Sequence, residues 1–211
     1  MLNDLTKQLR QRLALPLPGQ EAQYKMANAE RRINSARFKI PENARNGGVL
    51  ILLYENDNKI KFPLILRAEY DGVHSAQISF PGGGFDQEDE NIQNTALRET
   101  QEEIGIFKND VQVLGALSSL YIPPSNFIVH PFIGSLSYHP HLIADEKEVA
   151  QIIEVDLETF LDESVVHEKT IKLSNGMEIQ TPYFNIQKQT VWGATAMILS
   201  ELKAVLFEIG Y

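Results

Sequence analysis

No cysteine occurs in the 211 residues. Disulfides, thiolate zinc sites, iron–sulfur clusters and a cysteine nucleophile are thereby excluded. Long apolar runs are missing too: segments such as Val49–Tyr54 fall far short of the ~20 residues a membrane helix needs. The opening MLNDLTKQLRQRL has no apolar signal core, so the chain is read as cytoplasmic, with no membrane partner. Positive charge is also scarce, since 19 Lys and Arg face 28 Asp and Glu, a net charge of −9. That balance argues against nucleic acid as a nonspecific partner.

What is present describes a globular chain. Hydrophobic residues make up 43% and charged residues 22%, enough to bury a sizeable core. Length favours one domain with an extension. Residues 1–45 read as an N-terminal helix and basic extension packing on the domain, and 46–211 as the domain itself. The charge divides in the same place. Residues 1–50 carry nine Lys or Arg (Arg31, Arg32 and Arg37 among them) against four acids, leaving the rest of the chain at −14. The basic segment reads either as an anion-binding surface or as a solvated helix and linker.

Periodicity outlines the elements. Leu2, Leu5, Leu9 and Leu13 predict a first helix, stopped by Pro16-Leu17-Pro18-Gly19. Residues 20–45 are polar and weakly periodic. GVLILLY from Gly48, FPLILRA from Phe62 and QISF from Gln77 read as strands, as do Val111–Leu117, Ile128–Leu136 and Val149–Val155. A helix is predicted over Ile92–Ile104, with Asn91 as N-cap and Gly105 as C-terminal cap, and a short one over Leu157–Leu161. Asn175-Gly176 between Thr170–Leu173 and Met177–Gln180 predicts a hairpin. Ala194–Ile209, apolar on one face, reads as a closing core helix. The sum is a mixed α/β domain with a largely antiparallel or mixed sheet, without repeats.

The chemistry concentrates in Phe80–Ile106, FPGGGFDQEDENIQNTALRETQEEIGI. Glu99, Glu102 and Glu103, at i, i+3 and i+4, place three carboxylates on one helix face. Such repulsion calls for a counter-charge, and a cluster of hard oxygen ligands suits Mg²⁺ or Mn²⁺. Arg98, four residues before Glu102, can steady the row. Small Ala96 permits close approach to the sheet. Ahead of the helix, Gly82-Gly83-Gly84 can bring a bare carbonyl to a metal or let a phosphate lie against the backbone. The arrangement reads as a site for a metal-bound phosphate ester.

Gly84, Glu90, Arg98-Glu99, Glu102-Glu103 and Gly105-Ile106 stand at the spacing of the Nudix box, which the segment resembles over all 23 positions, with Thr100 where the pattern has an apolar residue. The resemblance implies an α/β/α sandwich around a mixed sheet, with the box as a loop–helix–loop. It implies a pyrophosphatase in which water attacks phosphorus in a nucleoside diphosphate derivative. It further implies that Glu99, Glu102 and Glu103 ligate metal, that Gly83 offers its carbonyl, and that Glu90 and Arg98 orient the row. The general base is left open among Glu102, Glu103 and an acid from a later loop.

The flank resembles the coenzyme A diphosphatase branch in Leu64-Ile65-Leu66-Arg67, His74, Gln77 and Phe80-Pro81-Gly82-Gly83. Pro63, Ile65 and Ala68 replace that branch's Leu, Thr and Ser, and Gly72 and Ala76 replace its Arg and Gly. The segments Leu17–Ala27 and Leu120–Gly134 also resemble it, and Glu148 resembles a downstream acid that completes the metal site or supplies the base. The branch implies cleavage of coenzyme A or its acyl derivatives to 3′,5′-ADP and 4′-phosphopantetheine, and suggests a homodimer. Arg67, Arg31, Arg32 and Arg37 become candidates for the 3′-phosphate, and Gly82 and Gly83 for the diphosphate. The rivals are the same chemistry on ADP-ribose or another nucleoside diphosphate derivative, and a non-catalytic ligand sensor. His130, His139, His141 and His167 lack ligand spacing and read as structural.

Overall fold

The computed structural model describes residues 1–33, 39–68, 77–173 and 176–211. Its backbone is strand β1 (Arg45–Asn56), whose side chains are buried on both faces because helices cover both. Leu50, Leu52 and Tyr54 point into one core cluster, and Ile51 and Leu53 into the other, the period-2 alternation of a central strand. Antiparallel partners of β1 are β2 (Lys59–Arg67) and, further along, β4 (Gly82–Gly84), while β3 (Ile78–Ser79) adds to β2. Across its other edge β1 runs parallel to β7 (Phe127–Ser135), which pairs antiparallel with β5 (Gln112–Ala116) and β6 (Leu120–Ile122). β8 (Val149–Asp156) closes on β2. The sheet is mixed, as expected.

On one face lies α4 (Ile92–Ile104); on the other lie α1 (Leu2–Leu13) and α6 (Gly193–Glu208), with the short α2 (Gly19–Gln23) and α3 (Ala29–Ile33) between them in sequence. This is the α/β/α sandwich. α1 buries Leu2, Leu5 and Leu9, at about 1.5–3 kcal/mol for each leucine removed from water. α5 (Leu157–Leu161), capped by the Asp156 side chain, leads to a separate small sheet in which β10 (Glu178–Ile186) lies between β9 (Val166–Lys172) and β11 (Gln189–Val191). The predicted Asn175 turn of its hairpin lies outside the described residues, but the two strands pair as expected.

Three expectations need correction. The glycine run is not a loop: Gly82–Gly84 form a strand edge to edge with Gly47–Val49. A Cβ on Gly82, at φ +151°, would stand 2.4 Å from the Gly48 carbonyl oxygen, so bare backbone is what allows the pairing. Residues 20–33 are two short helices and a 3₁₀ turn at Tyr24–Met26, with Ala22, Gln23 and Met26 buried. Finally, α6 is buried nearly all round, from Thr195 to Lys203 without a break, because the N-terminal segment covers the face that sequence left open. Its Glu201 is fully buried and accepts from the backbone N–H of Gly19 (3.0 Å) and of Ser118 (3.2 Å) and from Gln23 Nε2 (2.8 Å).

Candidate active site

α4 carries the site, and its ends are locally encoded. The Asn91 side chain accepts from the Asn94 N–H at 2.9 Å, and Gly105, at φ +76°, supplies the left-handed C-cap. The helix seats against β1 where Gly48 meets Ala96: a Cβ on Gly48 would lie 2.5 Å from the Ile92 carbonyl oxygen. Thr100 is fully buried on the same face, and its hydroxyl donates to the Ala96 carbonyl at 2.7 Å, so a polar residue serves at a packing position.

The three carboxylates of the row take different positions. Glu103 is buried, with Oε2 accepting from the Gly82 N–H at 2.8 Å and Oε1 lying 3.1 Å from Arg67 Nη1. Glu99 is half-buried, and its carboxylate rests so close to Gly83 that a Cβ there would lie 2.4 Å from it. Both turn toward Glu148, and one oxygen from each of the three lies within 4.8 Å of the others. Glu102 points outward, 58% exposed, and meets Arg98 Nη1 at 2.9 Å. Among the described residues the acidic cluster is therefore Glu99, Glu103 and Glu148, with Glu102 beside it.

Glu148 arrives by tertiary contact alone. Its loop is stitched to the end of α4 by Ile143 N–H to the Ile104 carbonyl at 3.1 Å and Asp145 N–H to the Glu103 carbonyl at 3.0 Å. Charge in this cluster is costly. Burial pushes the Glu103 carboxyl up to about 7, with Glu99 and Glu148 adding repulsion and the Gly82 N–H and Arg67 opposing it. Burial likewise raises Glu99. Three converging carboxylates, one buried and two of them held above their usual range, are a donor set that a small divalent cation satisfies.

Arg98 organises the flank of this cluster. Nε is 2.7 Å from Asp89 Oδ1, Nη2 is 2.8 Å from Glu99 and 3.3 Å from the Gly84 carbonyl, and Nη1 holds Glu102. The hydrogen bonds from Arg98 hold the buried Asp89 down at about 2. Asp89 had no role assigned from sequence, although Asp86 and Asp89 form a capping box whose D-x-x-D spacing was the available signal. Glu90 sits apart, at φ +60°, with a 3.5 Å hydrogen bond from Asn94 as its side-chain contact.

Beside the cluster a cleft of about 790 Å³ runs from Gly82–Gly84 along an apolar wall that includes Met26, Phe80, Ile122, Met197 and Ile198. Arg67, expected on substrate, lines this cleft yet spends its guanidinium on Glu103. Arg31 lines it too, donating from Nη2 to the Tyr121 carbonyl, while Arg32 donates to the Ala27 carbonyl. Pro123 and Pro124 shape its rim. His74 and Arg37 lie outside the described residues. His130 bridges Ser119 and Asn46, as a structural histidine does. No helix among the described residues is long and apolar enough to cross a membrane.

Comparison with known proteins places the site in a family. A family model described as the NUDIX domain matches residues 44–173, which contain the sheet, α4 and Glu148. A Photorhabdus laumondii protein called uncharacterized Nudix hydrolase NudL is 36% identical over 129 residues, 61% of this chain and 68% of its own. A Yersinia pestis protein of the same name is 33% identical over 139 residues, 66% of this chain and 69% of its own. The chain thus spans about two thirds of the length of these curated relatives. In fold it is similar to RenU, a Nudix hydrolase from M. smegmatis, with TM-score 0.54 at 14% identity over 80% of this chain and 89% of that one. It is also similar to a MutT/nudix family protein from Enterococcus faecalis, with TM-score 0.53 at 18% identity over 89% and 73%. With that domain matched over most of its length and those relatives bearing the same name, the chain belongs to the Nudix hydrolase family.

Proposed function

We propose that the protein hydrolyses the diphosphate linkage of coenzyme A or an acyl derivative, with Mg²⁺ or Mn²⁺, to 3′,5′-ADP and the matching 4′-phosphopantetheine. The carrying observation is the junction of two environments: Arg67, Gly82 and Gly83, which contact the Glu103 and Glu99 carboxylates of the cluster, also line the apolar cleft. A diphosphate held at the carboxylates leaves a long arm whose methylene, gem-dimethyl and acyl carbons need cover, which the wall of Met26, Phe80, Ile122 and Met197 suits. The flanking Arg67, Gln77 and Phe80-Pro81-Gly82-Gly83 support the same reading.

In this reading Glu99, Glu103 and Glu148 hold the cation, with the Gly83 carbonyl as a further oxygen donor. A divalent cation held there would supply neutralisation of the diphosphate charge and acidification of a bound water. The chain's own groups do the positioning. The Gly82 N–H and Arg67 fix the Glu103 carboxylate from two sides, and Arg98 fixes Glu99 and Glu102. The extended Gly82–Gly84 edge, free of side chains, lets phosphate oxygens approach the backbone. Glu102, exposed, outside the cluster and held by Arg98, is in this reading the group that would orient the attacking water.

The test is incubation with Mg²⁺ and equimolar coenzyme A, ADP-ribose and diadenosine polyphosphate, with products followed by chromatography and mass detection. Release of 3′,5′-ADP and 4′-phosphopantetheine ahead of AMP is expected. Dominant AMP from ADP-ribose would overturn the substrate assignment and leave the metal-dependent chemistry in place.

A further inference from the structure

A second cavity, of about 400 Å³, lies between the end of β2–β3 and the small sheet β9–β11. Lys169, Lys172 and Lys188 line it together with Thr170 and Thr190, and no acidic residue among the described ones does. Only ten Lys and Arg follow residue 50 in a chain of net charge −9, and three of them line this cavity. None of the three belongs to an ion pair among the described residues. Lys169 donates to Thr190 Oγ1 at 2.6 Å and lies 5.0 Å from the Tyr183 ring centroid, contacts that hold its ammonium without neutralising it. Glu178 stands opposite Lys172 in the β9–β10 ladder without closing an ion pair, so the like charges of the three lysines still repel one another, and an anion relieves that repulsion.

The cavity is continuous with the catalytic cleft. Gln77, Ile78, Lys172 and Trp192 line both. Trp192, the single tryptophan of the chain, brings to this junction an aromatic surface of the kind that stacks on a nucleobase. Within the cleft, Arg67 is committed to the Glu103 carboxylate, so its charge is not free for a distant phosphate.

We propose that the three-lysine cavity is a second anion subsite, which binds a phosphate monoester on the nucleoside side of the substrate whose diphosphate lies at the glutamate cluster. The inference rests on the diphosphate-hydrolase reading. It adds that Lys169, Lys172 and Lys188 select substrates bearing the extra phosphate. A monoester carries up to two negative charges, and ammonium groups bind it as point charges.

Calorimetric titration with 3′,5′-ADP, AMP and inorganic phosphate tests this without turnover. The unaltered protein is expected to bind 3′,5′-ADP about tenfold or more tighter than AMP, the scale of charge-assisted hydrogen bonds. The triple variant Lys169→Gln, Lys172→Gln, Lys188→Gln loses that preference with AMP affinity unchanged, and the triple Lys→Arg variant retains most of it. Equal affinity for the two nucleotides in the unaltered protein, or an undiminished preference in the Gln variant, overturns the inference. So does inorganic phosphate binding that depends on the lysines but leaves 3′,5′-ADP and AMP binding alike, since the cavity would then be a separate anion site. Failure of coenzyme A to yield 3′,5′-ADP would overturn the proposed reaction instead, and leaves the nucleotide comparison intact.

Discussion

Glu103 concentrates the opposing demands of the site in one side chain. It is the buried member of the acidic cluster, and its neighbours Glu99 and Glu148 repel it while the Gly82 N–H and Arg67 draw it toward ionisation. Glu103→Gln keeps the shape and removes the charge. Metal-dependent hydrolysis is expected to fall by more than about 100-fold, the upper loss seen when even an outer contact of a metal ligand is removed. Unchanged circular dichroism with near-normal turnover would sink the assignment. The same carboxyl imposes a pH dependence on the metal-free fold. A native pKa of about 7 against an ordinary 4.5 means the native state binds more protons between those values. Its stabilising contribution is complete below about 4.5 and lost as pH rises through about 7, on the order of 3 kcal/mol in all. The pKa of His130, lowered by burial, works the other way: its contribution is present above the ordinary 6.5 and lost as pH falls. The difference between melting curves of the protein and of Glu103→Gln in chelator isolates the glutamate, and should grow from pH 5 to 7.5.

Arg98 makes a planar fork of contacts that a point charge cannot copy, reaching Asp89, Glu99, Glu102 and the Gly84 carbonyl. Arg98→Lys is expected to weaken Mn²⁺ binding by about 10–100-fold, as loss of an outer-sphere contact does, measured by titration. A change below twofold would show that Glu99 holds its place without the arginine.

At the scale of elements, α4 and β1 are fitted through missing side chains. Gly48→Ala would drive a methyl to 2.5 Å from the Ile92 carbonyl oxygen and 3.0 Å from the Ala96 nitrogen, backbone that cannot swing aside. The helix must lift from the sheet, at a cost of about 1–3 kcal/mol or more. Denaturant unfolding should show that loss, and hydrolysis should drop further than stability does, because Glu99 and Glu103 ride on the displaced helix. The elements themselves were well marked in sequence. Leu2–Leu13, Ile92–Ile104 and Leu157–Leu161 begin and end where heptad-like spacing, Asn91 and Gly105 say they should. Backbone-only signals were not. The strand Gly82–Gly84 has no side chains to alternate, and β6 is three residues long, so neither carries a periodicity to read.

Over the whole molecule, the N-terminal segment is bound to the domain through a buried carboxylate. Glu201 gathers donors from Gly19, Gln23 and Ser118, which come from two distant parts of the chain. Glu201→Ala would strand those donors in the interior at about 1–3 kcal/mol each where water cannot replace the carboxylate. A loss of at least about 3 kcal/mol is expected. Hydrogen exchange should quicken at Gly19 and Ser118 and across residues 19–26, and Met26 would no longer wall the cleft. Protection unchanged at these amides would show that apolar packing alone holds the segment.

The sequence by itself determined what is local: the capped helix, the i, i+3, i+4 carboxylates, the Arg98–Glu102 pair, the glycines before them and the family to which they point. Hydrogen bonds and rotamers within one or two turns depend on near neighbours, and near neighbours are written in order. Only the tertiary structure decided which carboxylates converge. It turned Glu102 outward, brought Glu148 to Glu103 through a loop stitched to the helix end, and placed Asp89 on Arg98. It also gave Arg67 to Glu103 and gathered three lysines of the far sheet beside the cleft. Those choices rest on distances between segments far apart in sequence, which the packing of two helical layers on one sheet establishes and spacing along the chain does not.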